Sequence, residues 1–135
     1  MDANAVLSAT IGGKALEIFS RAQHLKFVTA SSVVEEVRRY LPVLAKKKGL
    51  PLGLMEAVLD LLPLEVVPPE VYADRLEEAN ARIGWRDPAD VPLLALAMAL
   101  GCPVWSNDDD FADLEGVEVY TTAALLAELS RSEFR

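Results

Sequence analysis

The most informative stretch of the sequence is DPADVPLLALAMALGCPVWSNDDDF, residues 87–111. It opens with an aspartate and a proline typical of a helix start, and an apolar, alanine-rich helix follows up to Gly101. The next run, CPVW, is typical of a short strand buried on both faces. Three adjacent aspartates then repel one another, which leaves two interpretations: an acidic turn screened by water, or oxygen ligands for a cation.

Strands and helices alternate along the rest of the chain. Turn residues and hydrophobic periodicity predict further strands in LKFVTA, LEVVP and VEVY, with helices between them. The alternation predicts an α/β fold, a three-layer α/β/α sandwich around a short parallel sheet. SSVVEEVRRYLPVLAKKKG and LMEAVLDLL predict a helical hairpin near residues 31–62, with a kink at Pro42.

Composition limits the classes of protein to which the chain can belong. Its 135 residues fit one domain, 1–135, and 52% hydrophobic residues exclude disorder. Its apolar stretches are too interrupted to cross a membrane. A single cysteine predicts a cytoplasmic location, and a single histidine excludes a histidine–thiolate zinc site. The net charge of −8 argues against a general nucleic-acid coat but not against a nuclease that binds metal.

Two acids flank the start of the alanine-rich helix. Asp87 is explained as the N-cap ahead of Pro88. Asp90 shares a helix face with Leu94 and Ala97, which press against the sheet, and no basic residue lies on that face. Asp90 is therefore interpreted either as a further cap acid or, preferably, as a metal ligand. In parallel α/β sheets, ligands bind beyond the carboxyl ends of the strands, and SNDDDF follows the predicted strand CPVW at such an end.

Glu36 is a candidate on the first helix of the hairpin. Glu35 pairs with Ser32 as a predicted capping box and points away from the core. Glu36 borders the buried stripe, which is expected to comprise Val33, Val37, Tyr40 and Leu44. A border glutamate is either a surface residue or part of a site.

The remaining chemistry points to an all-oxygen site. Asp2 by itself reads as part of a frayed terminus, although it stands where the chain would leave a strand and enter a helix. With histidine and thiolate ligands excluded, carboxylates suit Mg²⁺ or Mn²⁺.

DAN.VLSA at the start, SSVVEEV and the stretch from Arg86 to Phe111, taken in order, resemble the PIN-domain family. These are metal-dependent ribonucleases that include the toxins of toxin–antitoxin pairs. The resemblance implies a parallel sheet that carries an acidic quartet. The matching positions are Asp2, Glu36, Asp90 and Asp108, with Asp110 as an accessory acid and Asn4 and Ser106 as supporting residues.

The resemblance also implies a function. We expect an endoribonuclease that uses Mg²⁺ or Mn²⁺ and cleaves single-stranded or structured RNA, with a possible antitoxin partner, a homodimeric state and no membrane association. The alternative is an inactive PIN-like module that acts through a homodimer or a partner protein. Since only Met1 precedes Asp2, the first strand of the family's sheet is expected to be cut off.

Overall fold

The structure, a computed structural model, describes residues 1–133. Its helices and strands follow one another in an alternating α/β order. The helices are α1 (Ala3–Thr10), α2 (Lys14–Arg21), α3 (Ser31–Lys48), α4 (Leu52–Leu61), α5 (Pro69–Tyr72), α6 (Leu76–Ile83), α7 (Val91–Leu100) and α8 (Thr122–Glu133). The strands are β1 (Phe27–Ala30), β2 (Leu64–Val67), β3 (Val104–Trp105) and β4 (Val119–Tyr120). The predicted α/β class is thus confirmed.

The strands form two parallel pairs. β1 pairs with β2, in a register that sets Phe27 opposite Leu64 and Ala30 opposite Val67. β3 pairs with β4 in the same parallel sense. Within each pair the carboxyl ends of the two strands lie at the same edge; α3 begins directly after β1, and the SNDDDF segment begins directly after β3.

The first two residues lie between these pairs. The Met1 amino group donates to the carbonyl oxygen of Val28 at 3.2 Å, and the Thr29 hydroxyl donates to the carbonyl oxygen of Met1 at 2.7 Å. On the other side, the Asp2 amide donates to the carbonyl oxygen of Trp105 at 3.0 Å. Asp2 is only 4% exposed, so interpreting it as part of a frayed terminus is wrong.

The helices form two groups that pack against the strands. Helices α1, α3 and α4 contact one another, and α7 contacts α5 and α6. Both α3 and α7 contact β1. The hairpin near residues 31–62 is confirmed as α3 and α4, and the turn between them begins at Gly49, whose φ of 66° suits glycine.

Two local predictions on α3 are wrong. The helix begins at Ser31, directly after β1, so Ser32 lies inside its first turn and the predicted capping box with Glu35 does not form. The Ser32 hydroxyl is instead buried without a hydrogen-bond partner. Tyr40, assigned to the buried stripe, is 40% exposed, and Leu41 is buried in its place. The stripe is thereby rotated away from Glu36.

A cleft of about 690 Å³ separates β1 from β3. Phe27 and Val28 line one side and Val104 lines the other, while leucines of α7 and α8 add apolar walls. Met1 lies at the end of the cleft nearest the carboxyl ends of the strands. Among residues 1–133, no helix combines the length and the apolar character needed to cross a bilayer.

Candidate metal centre

Three carboxylates meet ahead of α7. One oxygen each from Asp87, Asp90 and Asp110 lies within 4.8 Å of the other two. Asp87 caps the single 3₁₀ turn Pro88–Asp90, which Asp90 ends, and Asp110 lies in a second such turn, Asp109–Phe111, after β3. The two turns therefore place three acids from two separate parts of the sequence in one acid cluster.

Arg86 fixes the two turns to each other. Its Nη1 donates to the carbonyl oxygen of Asp110 at 2.8 Å and to that of Ala112 at 2.9 Å. Asp87 uses one oxygen, Oδ1, to accept from the Ala89 amide at 2.9 Å, which leaves its second oxygen free of that cap. Phe111 is fully buried and anchors the second turn in the core. The cluster is thus built on constrained backbone.

Asp90 gives the strongest indication that the cluster can hold a cation. Its Oδ2 is buried and has no hydrogen-bond donor. Burial raises the pKa of Asp90 from 3.8 to about 8, and the hydrogen bond that the protonated acid shares with Asp110 and the charges of Asp87, Asp110 and Asp108 act in the same direction. A divalent cation would supply the positive partner that the ionised carboxylate lacks. The residues present therefore fit a metal ion.

A hydrogen-bonded chain joins the start of the protein to this cluster. The Ser106 hydroxyl donates to Asp2 Oδ2 and accepts from the Asp108 amide at 2.9 Å. Asp108 Oδ1 in turn accepts from the Asp110 amide at 3.0 Å. The other Asp2 oxygen accepts from the Ala5 amide at 2.9 Å and caps α1. Asp2, Ser106 and Asp108 thus form a continuous network that ends at the acid cluster.

The other two predicted site residues lie outside the acid cluster. Asn4, in the first turn of α1, and Glu36, on α3, are both exposed. They line a shared pocket of about 420 Å³, together with Arg39 and Tyr40. The structure therefore brings Asp90 and Asp110 together, links Asp2, Ser106 and Asp108 to them, and places Glu36 beside Asn4.

Sequence reasoning missed Asp87. An N-cap role was enough to explain an aspartate at this position, and the structure contains that cap. The available signal was its spacing: Asp87 and Asp90 bracket one 3₁₀ turn, which has three residues per turn and therefore brings such side chains to the same side.

An α/β fold with parallel strands and an acid cluster after a strand's carboxyl end is an arrangement that can hold a divalent cation. Residues 1–130 match the PIN domain, and the chain belongs to the PIN-domain family. PIN domains are generally nucleases that use divalent metals. A comparison with curated proteins found no match.

Proposed function

We propose that this PIN domain is a single-domain, metal-dependent endoribonuclease and the toxin of a toxin–antitoxin pair. The observation that carries the proposal is the orphaned Asp90 Oδ2 within the acid cluster. An ionised carboxylate in that position is unfavourable unless a cation binds it. Family membership supports nuclease chemistry over other uses of a metal site.

Mg²⁺ or Mn²⁺ is the metal we propose, with Asp87, Asp90 and Asp110 as its ligands. The sequence candidates Asp2 and Asp108 would contribute through the network around Ser106, either as direct ligands or by holding bound water. Glu36 and Asn4, which line a shared pocket between α1 and α3, are proposed as further residues of the site. A bound divalent ion supplies a water of lowered pKa and neutralises charge on the scissile phosphate.

The chain's own groups would hold this centre in place. Arg86 keeps the two acid-bearing turns at a fixed separation through its bonds to Asp110 and Ala112. Ser106 aligns Asp2 with Asp108. Preorganisation of this kind avoids the cost of ordering several acids at each turnover.

Asp90→Asn tests the activity directly. It keeps the shape of the side chain but removes the charge, so we expect metal-dependent cleavage of an RNA substrate to fall by at least about a hundredfold. Asp109→Asn is the matched control, because Asp109 is adjacent to the cluster in sequence, exposed and outside it. Full cleavage by Asp90→Asn at saturating Mn²⁺ would rule out the assignment.

Metal binding can be measured without any substrate. Millimolar Mn²⁺ is expected to raise the melting temperature of the wild type, because a ligand that binds only the folded state stabilises it. The rise should be lost in Asp108→Asn or Asp110→Asn and kept in Asp109→Asn. If the wild type shows no shift at millimolar metal, the inactive-module alternative is favoured instead.

The hairpin supports the proposed protein partners. Tyr40 and Val43 of α3 and Leu54 of α4 are 40%, 56% and 61% exposed, so the hairpin presents apolar surface. We propose this surface for an antitoxin segment or a second copy of the chain. Size-exclusion chromatography with light scattering distinguishes a homodimer from a monomer that awaits a different partner. A cytoplasmic location stays a prediction from the single cysteine.

A further inference from the structure

Trp85 is an exposed aromatic residue held in a fixed position. Its side chain is 75% exposed, whereas the chain's other tryptophan, Trp105, is 5% exposed. The indole Nε1 donates to the carbonyl oxygen of Arg82 at 3.1 Å. The guanidinium carbon of Arg86 lies over the ring, 4.9 Å from its centroid. The ring is therefore oriented by two contacts while much of its surface remains open to solvent.

Arg86 places this ring beside the acid cluster. The same guanidinium that lies over Trp85 donates to the carbonyl oxygens of Asp110 and Ala112. Asp87, which belongs to the cluster, follows Trp85 by two residues. One guanidinium group thus separates the indole from the backbone of a proposed metal ligand.

An open indole next to such a site suits a nucleic-acid base. Bases stack on aromatic side chains whatever their identity, because each has a π-face, and an adjacent arginine adds a cation–π contribution. A base is also uncharged, so stacking is not opposed by the acids that repel the phosphate backbone when no metal is bound. A purely structural role explains the ring less well, since it buries little of its area.

We propose that Trp85 stacks against an unpaired base of the substrate and thereby positions the neighbouring phosphodiester at the acid cluster. The inference rests on the proposed nuclease function and assigns Trp85 as the residue that favours an unpaired stretch of RNA over a duplex. Paired bases are stacked on each other and cannot lie on the indole, so a duplex of the same sequence is excluded. Stacking has little preference among the four bases, so the identity of the base at this position should have a small effect on binding affinity.

The contrast between the two tryptophans provides a direct measurement. An unstructured RNA of about ten nucleotides is titrated into the protein in Ca²⁺, and a gel checks that the RNA stays intact. Stacking should quench the fluorescence of the exposed Trp85 and leave that of buried Trp105 unchanged. Trp85→Phe should abolish the quenching but retain binding within about twofold, measured by anisotropy of an end-labelled RNA.

Trp85→Ala should weaken binding of the same RNA by about tenfold. In Mn²⁺ it should raise KM by a similar factor and leave kcat within about twofold. Leu61→Ala is the matched control: Leu61 is 82% exposed, lies at the end of α4 and does not belong to the acid cluster. Leu61→Ala should change neither the affinity for RNA nor KM. Neither Trp85→Ala nor Leu61→Ala should lower the melting temperature appreciably.

The outcomes separate this inference from the function on which it rests. Binding with quenching but no cleavage by the wild type would overturn the nuclease proposal and leave stacking intact. Cleavage with the same KM by Trp85→Ala, or binding without quenching, would overturn stacking alone. If the duplex binds as tightly as the single strand, stacking is also excluded. Failure of the wild type to bind RNA at all would overturn both.

Discussion

Asp90 shows how one residue links folding to metal binding. In the metal-free protein its pKa is raised by burial and by neighbouring carboxylates, so the folded state keeps a proton that the unfolded chain releases. The acid that is proposed to bind a cation thus carries a proton at neutral pH without one. Metal binding would displace that proton, and apparent metal affinity should increase with pH.

Because the folded and unfolded states bind protons differently, the stability of the protein is expected to depend on pH. Between pH 4 and about pH 8 the folded protein holds a proton on Asp90 that the unfolded chain does not, so stability of the metal-free wild type decreases as pH rises. Asp90→Asn should remove this contribution, and its stability advantage should therefore grow across the same range. Urea unfolding in chelator at several pH values measures it, and a constant difference between the two proteins would contradict it.

The Met1 amino group should make stability depend on pH in the opposite direction, and the same experiment can isolate this effect. Burial lowers the pKa of its amino group from 8.0 to about 6. The unfolded chain therefore binds more protons between those values, and this group makes stability increase as pH rises from 6 to 8. In the Asp90→Asn protein, where the larger opposing contribution is absent, a rise in the urea midpoint over this range is expected. A flat or falling midpoint would contradict the prediction.

Ser106→Ala tests the network that holds Asp2. The substitution removes the donor to a carboxylate that is 4% exposed and the acceptor for the Asp108 amide. We expect a loss of about 1–3 kcal/mol in the free energy of unfolding, measured by urea denaturation. Ser20→Ala is the control, since the Ser20 hydroxyl makes only an exposed bond to a backbone carbonyl. Equal stability of the two variants would show that the network is not stabilising.

Residue patterns predicted part of the acid cluster. The shared face of Asp90 with Leu94 and Ala97 led to Asp90, because a helical period fixes which side chains lie together. The position of Asp87 in the acid cluster was not predicted. Its role as an N-cap uses one carboxylate oxygen and does not indicate where the other oxygen lies. The proximity of Ser106 to Asp2 depends on how distant strands meet, which no local pattern reports.

At the scale of elements, the positions of strands and helices were predicted well and their ends less well. Periodicity located every strand, and the helix expected from Pro69 onwards is present but interrupted after Tyr72 by a 3₁₀ turn. The capping box failed because β1 runs directly into α3 and moves the helix start one residue ahead of Ser32. Tertiary connections of this kind override a local capping signal.

Replacing each of two helix glycines by alanine should change the stability in opposite directions. Gly101 ends α7, the helix that follows Asp90, with a φ of 64°. Gly101→Ala should cost roughly 1 kcal/mol, because a side chain disfavours that conformation even though no atom lies within 4 Å of its Cβ position. Gly53 lies inside α4 with similarly open surroundings, so Gly53→Ala should stabilise by up to about 1 kcal/mol. Thermal unfolding of both variants checks the pair, and shifts of the same sign would contradict it.

At the scale of the whole molecule, one sheet was expected and two parallel pairs are observed. The backbone of Met1 and Asp2 joins them, while Phe27 and Val28 of β1 and Val104 and Trp105 of β3 line the cleft. Sequence patterns predict strands but not which edges remain unpaired, because pairing depends on the whole chain.

An added strand should fill this cleft. Five apolar, β-branched residues fused ahead of Met1 would enter between β1 and β3, pair with both edges and replace a buried ammonium group with an amide. We expect a clear rise in melting temperature, compared with a Gly/Ser extension of the same length that removes the same charge. Equal melting temperatures for the two extensions would show that the cleft does not admit a strand.

Cys102 also lines this cleft, and it is the only thiol in the chain. A thiol-directed dye would therefore attach at a single position, without any engineered cysteine. Because the attachment point lies in the cleft wall, the rate of labelling would show whether the space is open or filled, and the attached dye would report changes there in real time.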